Sequence, residues 1–308
     1  MKKRFAYYPG CSLETTAASY HVSAVETATA LGVEFVEVED WNCCGATSYS
    51  GIDDLLAHTL CARNLAIAER EGLDVVAPCS ACFKNLHSAN QHLKDEPDLA
   101  EHINFALEAD DLRYSGTGHV HHLIHLFVGT VGLDAVKARV KHPLKGLKVA
   151  PYYGCMIVRP RRHDEWDKPD VRFFEDLLKA IGADPVQFAF RMRCCGASLV
   201  ATNRKAALGL IRDILHNALQ SGAEVISTTC PLCQLNLEAY QDAVNREFGT
   251  DYHIPVVYFT QLMGVAFGIS SKKLGFGGEF VPATPVLACA ARAAEAAKAS
   301  HGPKVTTK

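Results

Sequence analysis

The sequence predicts an α/β protein: two tandem, duplicated α/β domains with mainly parallel sheets, related by pseudo-twofold symmetry, plus a C-terminal tail. Three observations predict it. One set of cysteine motifs occurs twice at a nearly fixed offset. Short β-prone runs alternate with helical stretches in both copies, as in parallel α/β folds. The chain has 308 residues, enough for two cores.

The repeat is explicit. YYPGC at 7–11 matches YYGC at 152–155, WNCCGATS at 41–48 matches MRCCGASL at 192–199, and VVAPCSACFKNL at 75–86 matches ISTTCPLCQLNL at 226–237. Cys43, Cys44, Cys79 and Cys82 recur as Cys194, Cys195, Cys230 and Cys233, each 151 residues on. Cys11 recurs as Cys155, 144 residues on, so the first connector is seven residues longer in the second copy. A period this long marks a duplicated domain and not a solenoid.

In each copy a strand (3–8, 148–153) leads to the first cysteine, and a helix follows (17–31, 171–181). A second strand (33–38, 186–190) delivers the chain to Cys-Cys-Gly, and a second helix follows (53–71, 204–220). A third strand (74–77, 224–227) ends at Cys-x-x-Cys, which opens a third helix. All the motif cysteines therefore fall at the C-terminal ends of strands, the edge where open α/β sheets bind ligands. Helix N-termini there stabilise thiolates and anionic clusters. KHPLKG, ending at Gly146, separates the copies, giving domains 1–145 and 146–270 and an extension 271–308 whose end, GPKVTTK, reads as frayed.

Composition excludes several classes. Net charge is −3, from 31 basic and 34 acidic residues, which favours neither nucleic acid nor an anionic membrane. Every apolar run is broken short of the roughly 20 residues a membrane span needs. The run 256–269 comes closest, and Thr260 and Gln261 interrupt it. No signal peptide is evident, so a soluble cytoplasmic protein is expected. In that reducing compartment 12 cysteines point to metal or redox chemistry and not to a disulfide scaffold.

Five thiols per copy exceed the four of a tetrahedral zinc or a standard cubane. Adjacent cysteines chelate one ion poorly but can ligate neighbouring irons of a cluster. Gly45 and Gly196 let the backbone pass close to such a cluster. A zinc site using four of the five, or a thioredoxin-like Cys79-Cys82 pair, leaves thiols unexplained.

This pattern resembles the cysteine-rich (CCG) domain, and the chain over residues 3 to 275 resembles the B subunit of heterodisulfide reductase. The resemblance rests on both complete motifs, the YYPGCS opening, WNCCGATS and the KKLGF segment after the second copy. It implies two noncubane [4Fe-4S] clusters facing each other, with a disulfide split between them. It assigns Cys11, Cys43, Cys44, Cys79 and Cys82 to one cluster, and Cys155, Cys194, Cys195, Cys230 and Cys233 to the other. It implies no catalytic residues beyond these ligands. It also implies partners: a ferredoxin-type C subunit, a flavin-containing A subunit, and a disulfide or thiol substrate. The chain has neither a ferredoxin cysteine run nor a G-x-G-x-x-G dinucleotide motif, so electrons must arrive from elsewhere in the complex. A sulfur-oxidising version acting on carrier-bound, lipoate-type sulfur, and a non-catalytic electron-transfer role, are the alternatives.

Other residues invite attention. Cys61 sits mid-helix among apolar neighbours and reads as a core thiol. Cys289 lies in the Ala-rich tail. His119, His121, His122 and His125 read as part of an ordinary helix, with His121 and His125 on one face and no third metal ligand nearby. Arg159, Arg161, Arg162 and His163 form a basic loop suited to an anionic substrate, a partner or solvent; Lys272 and Lys273 are a weaker case. Trp41 either shields a cluster or fills core space.

Overall fold

Each half of the chain is built on a four-stranded, all-parallel sheet. The computed structural model describes residues 3–46, 49–159, 171–283 and 287. The first half contains β1 (Lys3–Tyr7), α1 (Ala18–Ala30), β2 (Val33–Glu37), α2 (Asp54–Arg70), β3 (Val75–Ala77), α3 (Ser80–Asp95) and α4 (Pro97–Leu107). It continues with β4 (Val120–His122), a one-turn α5 (Leu123–His125), a π-helical stretch Leu126–Gly132, and α6 (Leu133–Arg139). The second half contains β5 (Lys148–Tyr152), α7 (Phe173–Ala180), β6 (Asp184–Pro185), α8 (Arg204–Gln220) and β7 (Val225–Thr228). It closes with α9 (Pro231–Ala239), α10 (Gln241–Phe248), β8 (Val256–Tyr258) and α11 (Phe259–Ala266).

The strand orders are β2-β1-β3-β4 and β6-β5-β7-β8. In each, the order reverses between the first and third strands, and a crevice opens at their C-terminal ends. Those ends carry Cys11 with Cys79, and Cys155 with Cys230. Side chains start the long helices. Asp53 accepts the Leu56 N–H at 2.9 Å, and Asn203 accepts that of Ala206 at 3.1 Å.

Three expectations change. The second strand of the second half is Asp184–Pro185 and not 186–190. Proline lacks a ladder donor, and β6 is an edge strand, where that is tolerated. Each sheet has a fourth strand, β4 or β8, where the sequence pattern reads as helix. His121 thus lies in a strand and His125 in the helical turn beyond it, so they share no helix face. His121 instead lies 3.8 Å from Asp74. Cys289, Arg161, Arg162 and His163 lie outside the described residues, as does the GPKVTTK end.

The two halves meet where the first helix of one packs on the last helix of the other. The helix α1 packs on α11, with Tyr20 stacked on Tyr258 at 4.2 Å and Ser23 Oγ 2.7 Å from Thr260 Oγ1. The buried Tyr20 hydroxyl reaches the carbonyls of Pro78 (3.1 Å) and Thr229 (3.2 Å), the residues just before Cys79 and Cys230. One hydroxyl thus ties matching turns of the two copies across a pseudo-twofold junction. A Tyr20→Phe protein leaves the Pro78 carbonyl without this donor, while the Thr229 carbonyl keeps the Ser80 hydroxyl. It should lose about 1–3 kcal/mol in anaerobic urea unfolding; an unchanged midpoint would remove Tyr20 from this role.

The extension beyond α11 is fastened to both halves. Gln261 Nε2 donates to the Leu274 carbonyl, Lys273 pairs with Glu26, and Val281 N–H donates to Glu238. Burial raises the Glu238 carboxyl from 4.5 to about 7, against the opposing hydrogen bond from Gln234. The folded protein therefore holds a proton that the unfolded chain has lost above its lower pKa. Its favourable contribution is complete below about pH 4.5 and is lost as pH rises through about 7. Glu238→Gln should be stabilising by about 2–3 kcal/mol at pH 8 and near neutral at pH 5, read from melts at both pH values.

Candidate metal centre

Strand ends bring the motif cysteines together within each half. Cys44 and Cys82 Sγ lie 3.4 Å apart, and Cys195 and Cys233 Sγ 3.6 Å apart. Cys43 neighbours Cys44 and Cys11, and Cys155 neighbours Cys194. Cys79 interacts electrostatically with Cys82, and Cys230 with Cys233. The two sets approach each other at the junction, where Cys79 and Cys230 act on one another and Ser80 Oγ, next to Cys79, lies 3.2 Å from Thr229 Oγ1, next to Cys230. Cys44, Cys79, Cys82, Cys195, Cys230 and Cys233 are buried, Cys155 is half-buried, and Cys11, Cys43 and Cys194 are exposed.

Backbone N–H groups point at the sulfurs. Gly196 N–H donates to Cys194 Sγ at 3.3 Å. The N–H groups of Gly45, Ala46 and Ala197 likewise act electrostatically on Cys43, Cys44 and Cys195. Cys79 and Cys230 occupy the N-cap positions of α3 and α9, where the N–H groups of Ala81 and Cys82, and of Cys233, act on their sulfurs electrostatically. These donors favour thiolate. Hydrogen bonds from Cys43 and then Cys82 hold Cys44 down to about 4. A hydrogen bond from Cys155 holds Cys194 down to about 6, with help from Gly196. A bond from Cys233 lowers Cys195, and bonds from Cys230 and Cys82 lower Cys79. Their partners Cys43, Cys82, Cys155 and Cys233 are raised, because each keeps the shared proton.

Matched supports surround both thiol sets. Tyr8 donates to the Asn42 carbonyl at 2.7 Å and Tyr152 to the Arg193 carbonyl at 2.5 Å, each fixing the residue before a Cys-Cys pair. Burial, with the thiolates behind it, raises both phenols, which remain protonated donors. Asn85 donates to the Cys44 carbonyl at 3.0 Å, and Asn236 to that of Cys195 at 2.7 Å. Nothing local in the sequence singles out these four residues. Their signal is the repeat itself, since each pair keeps the offset of its neighbouring cysteines.

The remaining candidates are peripheral. Buried Cys61 donates to the Cys44 carbonyl at 3.5 Å, behind the thiol set. Trp41 packs edge-on against Tyr8 at 5.4 Å between ring centroids, joining the core to the Cys-Cys turn. Arg159 follows Cys155, and its charge helps lower Cys194. An all-sulfur donor set, backbone donors aimed at it and glycines pressed against it fit an iron–sulfur group.

This architecture defines a tandem pair of cysteine-rich α/β domains with thiol sets meeting at their junction. The cysteine-rich domain CCG matches residues 5–87 and 149–238. The 8-methylmenaquinol:fumarate reductase membrane anchor subunit of Wolinella succinogenes is 35% identical over 92% of this chain and 99% of its own length. The B subunit of the ferredoxin/F(420)H(2)-dependent CoB-CoM heterodisulfide reductase of Methanosarcina acetivorans is 34% identical over 80% of this chain and 83% of its own. The corresponding B subunit of the ferredoxin:CoB-CoM enzyme of Methanosarcina mazei is 32% identical over 82% and 86%. A crystal structure of a hypothetical protein from Helicobacter pylori superposes with a TM-score of 0.73 at 15% identity, over 91% of this chain and 52% of that one, and shows the shared fold. The chain belongs to the family of heterodisulfide reductase B subunits, which are tandem CCG-domain proteins. It is accordingly an iron–sulfur, electron-transferring member of an oxidoreductase complex. Among the described residues no helix is long and apolar enough to cross a membrane.

Proposed function

We propose that the chain is the disulfide-reducing subunit of a heterodisulfide-reductase-like complex in the cytoplasm. Cys11, Cys43, Cys44, Cys79 and Cys82 hold one noncubane [4Fe-4S] cluster. Cys155, Cys194, Cys195, Cys230 and Cys233 hold the second. When bound, two such clusters supply one electron each, matching the two electrons and two protons that convert one disulfide into two thiols. The electrons come from a ferredoxin-type C subunit, itself fed by a flavin-containing A subunit.

The approach of the Cys79 turn to the Cys230 turn, bridged by Tyr20 and by Ser80 with Thr229, carries this reading. It joins two five-thiol sets at one point, so a single S–S bond can address both. Exposed Cys11, Cys43 and Cys194 give the thiol sets an approach from solvent. Tyr8, Tyr152, Asn85 and Asn236 hold the Cys-Cys turns, and buried Cys79, Cys82, Cys230 and Cys233 keep water from the inner side.

The test is EPR and metal analysis of anaerobically purified protein, with and without an added disulfide. The expected result is about eight irons per chain and a signal that appears only on oxidation in the presence of the disulfide. Stoichiometric zinc without iron would overturn the reading. The Wolinella relative, matched over 99% of its length, favours a second reading, electron transfer without a sulfur substrate. That reading predicts full iron, no disulfide-dependent signal and no disulfide turnover.

A further inference from the structure

We infer that the apolar surface of Tyr49, Ile52, Leu55 and Leu56 docks the iron–sulfur protein that donates electrons, so that they enter through the first half. This rests on the proposed function for the existence of a donor and adds where that donor binds.

The duplication supplies an internal control. In the first half, the approach to α2 and its first turn expose Tyr49 (44%), Ile52 (80%), Leu55 (50%) and Leu56 (42%) to solvent. Scattered exposed apolar residues need no explanation, but four within eight positions form a patch. Fold requirements do not account for it. The matching approach to α8 exposes one large apolar residue, Leu199 (36%), and otherwise Thr202, Asn203, Arg204 and Lys205, and it reaches the same kind of helix with the same kind of N-cap. The two segments thus differ mainly in how much apolar surface they present outward.

The patch is continuous with the metal centre. Tyr49 Cβ would lie 3.2 Å from a Cβ on Gly45, and Tyr49 N–H donates to the Gly45 carbonyl at 3.3 Å. Gly45 itself closes the Cys-Cys-Gly turn two residues after Cys43, an exposed thiol of the first set. A protein covering the patch would therefore cover Cys43 as well. Exposed charges of this half are mainly acidic: Glu14 follows Cys11, Glu39 precedes Cys43, and Asp53 and Asp54 start α2, while Asp40 is paired with Arg63. Among those near Cys194, Arg159, Arg193, Arg204 and Lys205 are basic. The fitting occupant thus has an apolar centre ringed by Lys and Arg, which gives hot-spot burial at the core and steering at the rim. Docked there, the donor loses one electron and the first-half centre gains it.

The test uses the cluster-loaded full chain and the separately purified ferredoxin-type subunit of its complex, under argon. Two double variants are compared, Ile52→Glu with Leu55→Glu and Thr202→Glu with Lys205→Glu. All four positions are exposed, and Glu suits a helix start. The first pair should weaken the Kd for the donor by at least about tenfold and slow its reduction of the chain in step, while the second changes Kd less than about twofold. Wild-type association should slow as salt rises. Equal effects of the two pairs, a larger effect of the second, or no binding of the donor by wild-type chain would overturn the inference. Disulfide turnover with a small chemical reductant is measured in parallel. Its absence in wild type would sink the proposed function while leaving the docking result legible.

Discussion

A Cys195→Ser protein, purified without oxygen, should hold about half the iron of wild type, about four atoms in place of about eight. Its disulfide turnover should fall at least about a hundredfold, or ~3 kcal/mol of transition-state stabilisation. Cys195 is the buried member of its doublet, 3.6 Å from Cys233, with the Ala197 N–H on its sulfur and Asn236 on its carbonyl. A serine hydroxyl there is a harder and far less acidic ligand, and the N–H donor that favours a thiolate has no anion to meet. The first half shares none of these contacts, so its iron should remain. Half the iron with full turnover would show that one thiol set suffices, and the duplication would then need another explanation. Iron and acid-labile sulfide assays beside a turnover assay decide it.

The cysteine framework was legible in the sequence because it is written in spacing. Ten thiols repeated at a near-constant offset stay visible whatever the local conformation. The long helices were legible too. The predicted 204–220 coincides with Arg204–Gln220, started by an Asn cap and carried by a clear apolar face. The fourth strands were hidden because three residues cannot show a period of two, and each runs straight into a helical turn at Leu123 or Phe259. Val186 to Phe190 carried apolar alternation without a strand, since Phe188 turns inward from a loop beyond the short edge pairing of Asp184 and Pro185. The junction was least legible. Tyr20 meets Thr229 across 209 positions and Ser23 meets Thr260 across 237, and no local pattern announces such pairs. Once the repeat is known, Cys79 and Cys230 are recognisable as equivalents, but only the fold brings their turns together.

Two glycines separate the fit of the metal centre from the stability of the fold. Gly10 and Gly154 have φ of +69° and +71°, and a Cβ on either would stand 2.9 Å from a buried sulfur, Cys82 or Cys233. Gly154→Ala therefore combines a backbone cost of about 1–2 kcal/mol for a left-handed Ala with a displaced thiol. Gly249, the C-cap of α10 at φ +65°, carries the same backbone demand with nothing within 4 Å of its Cβ. Gly249→Ala should thus lower the melting temperature while keeping full iron. Gly154→Ala should lower it comparably or more and also lose iron from the second half, down toward about half of wild type. Gly10→Ala should do the same in the first half. If Gly154→Ala retained full iron, Cys233 would not be confined by the backbone at its sulfur, and glycine before the first cysteine would be needed for the turn alone. If both Gly154→Ala and Gly249→Ala lost iron equally, the loss would follow general unfolding and not the sulfur contact. The expected split, with stability lost in both and iron lost in one, is what a thiol set packed directly against backbone requires.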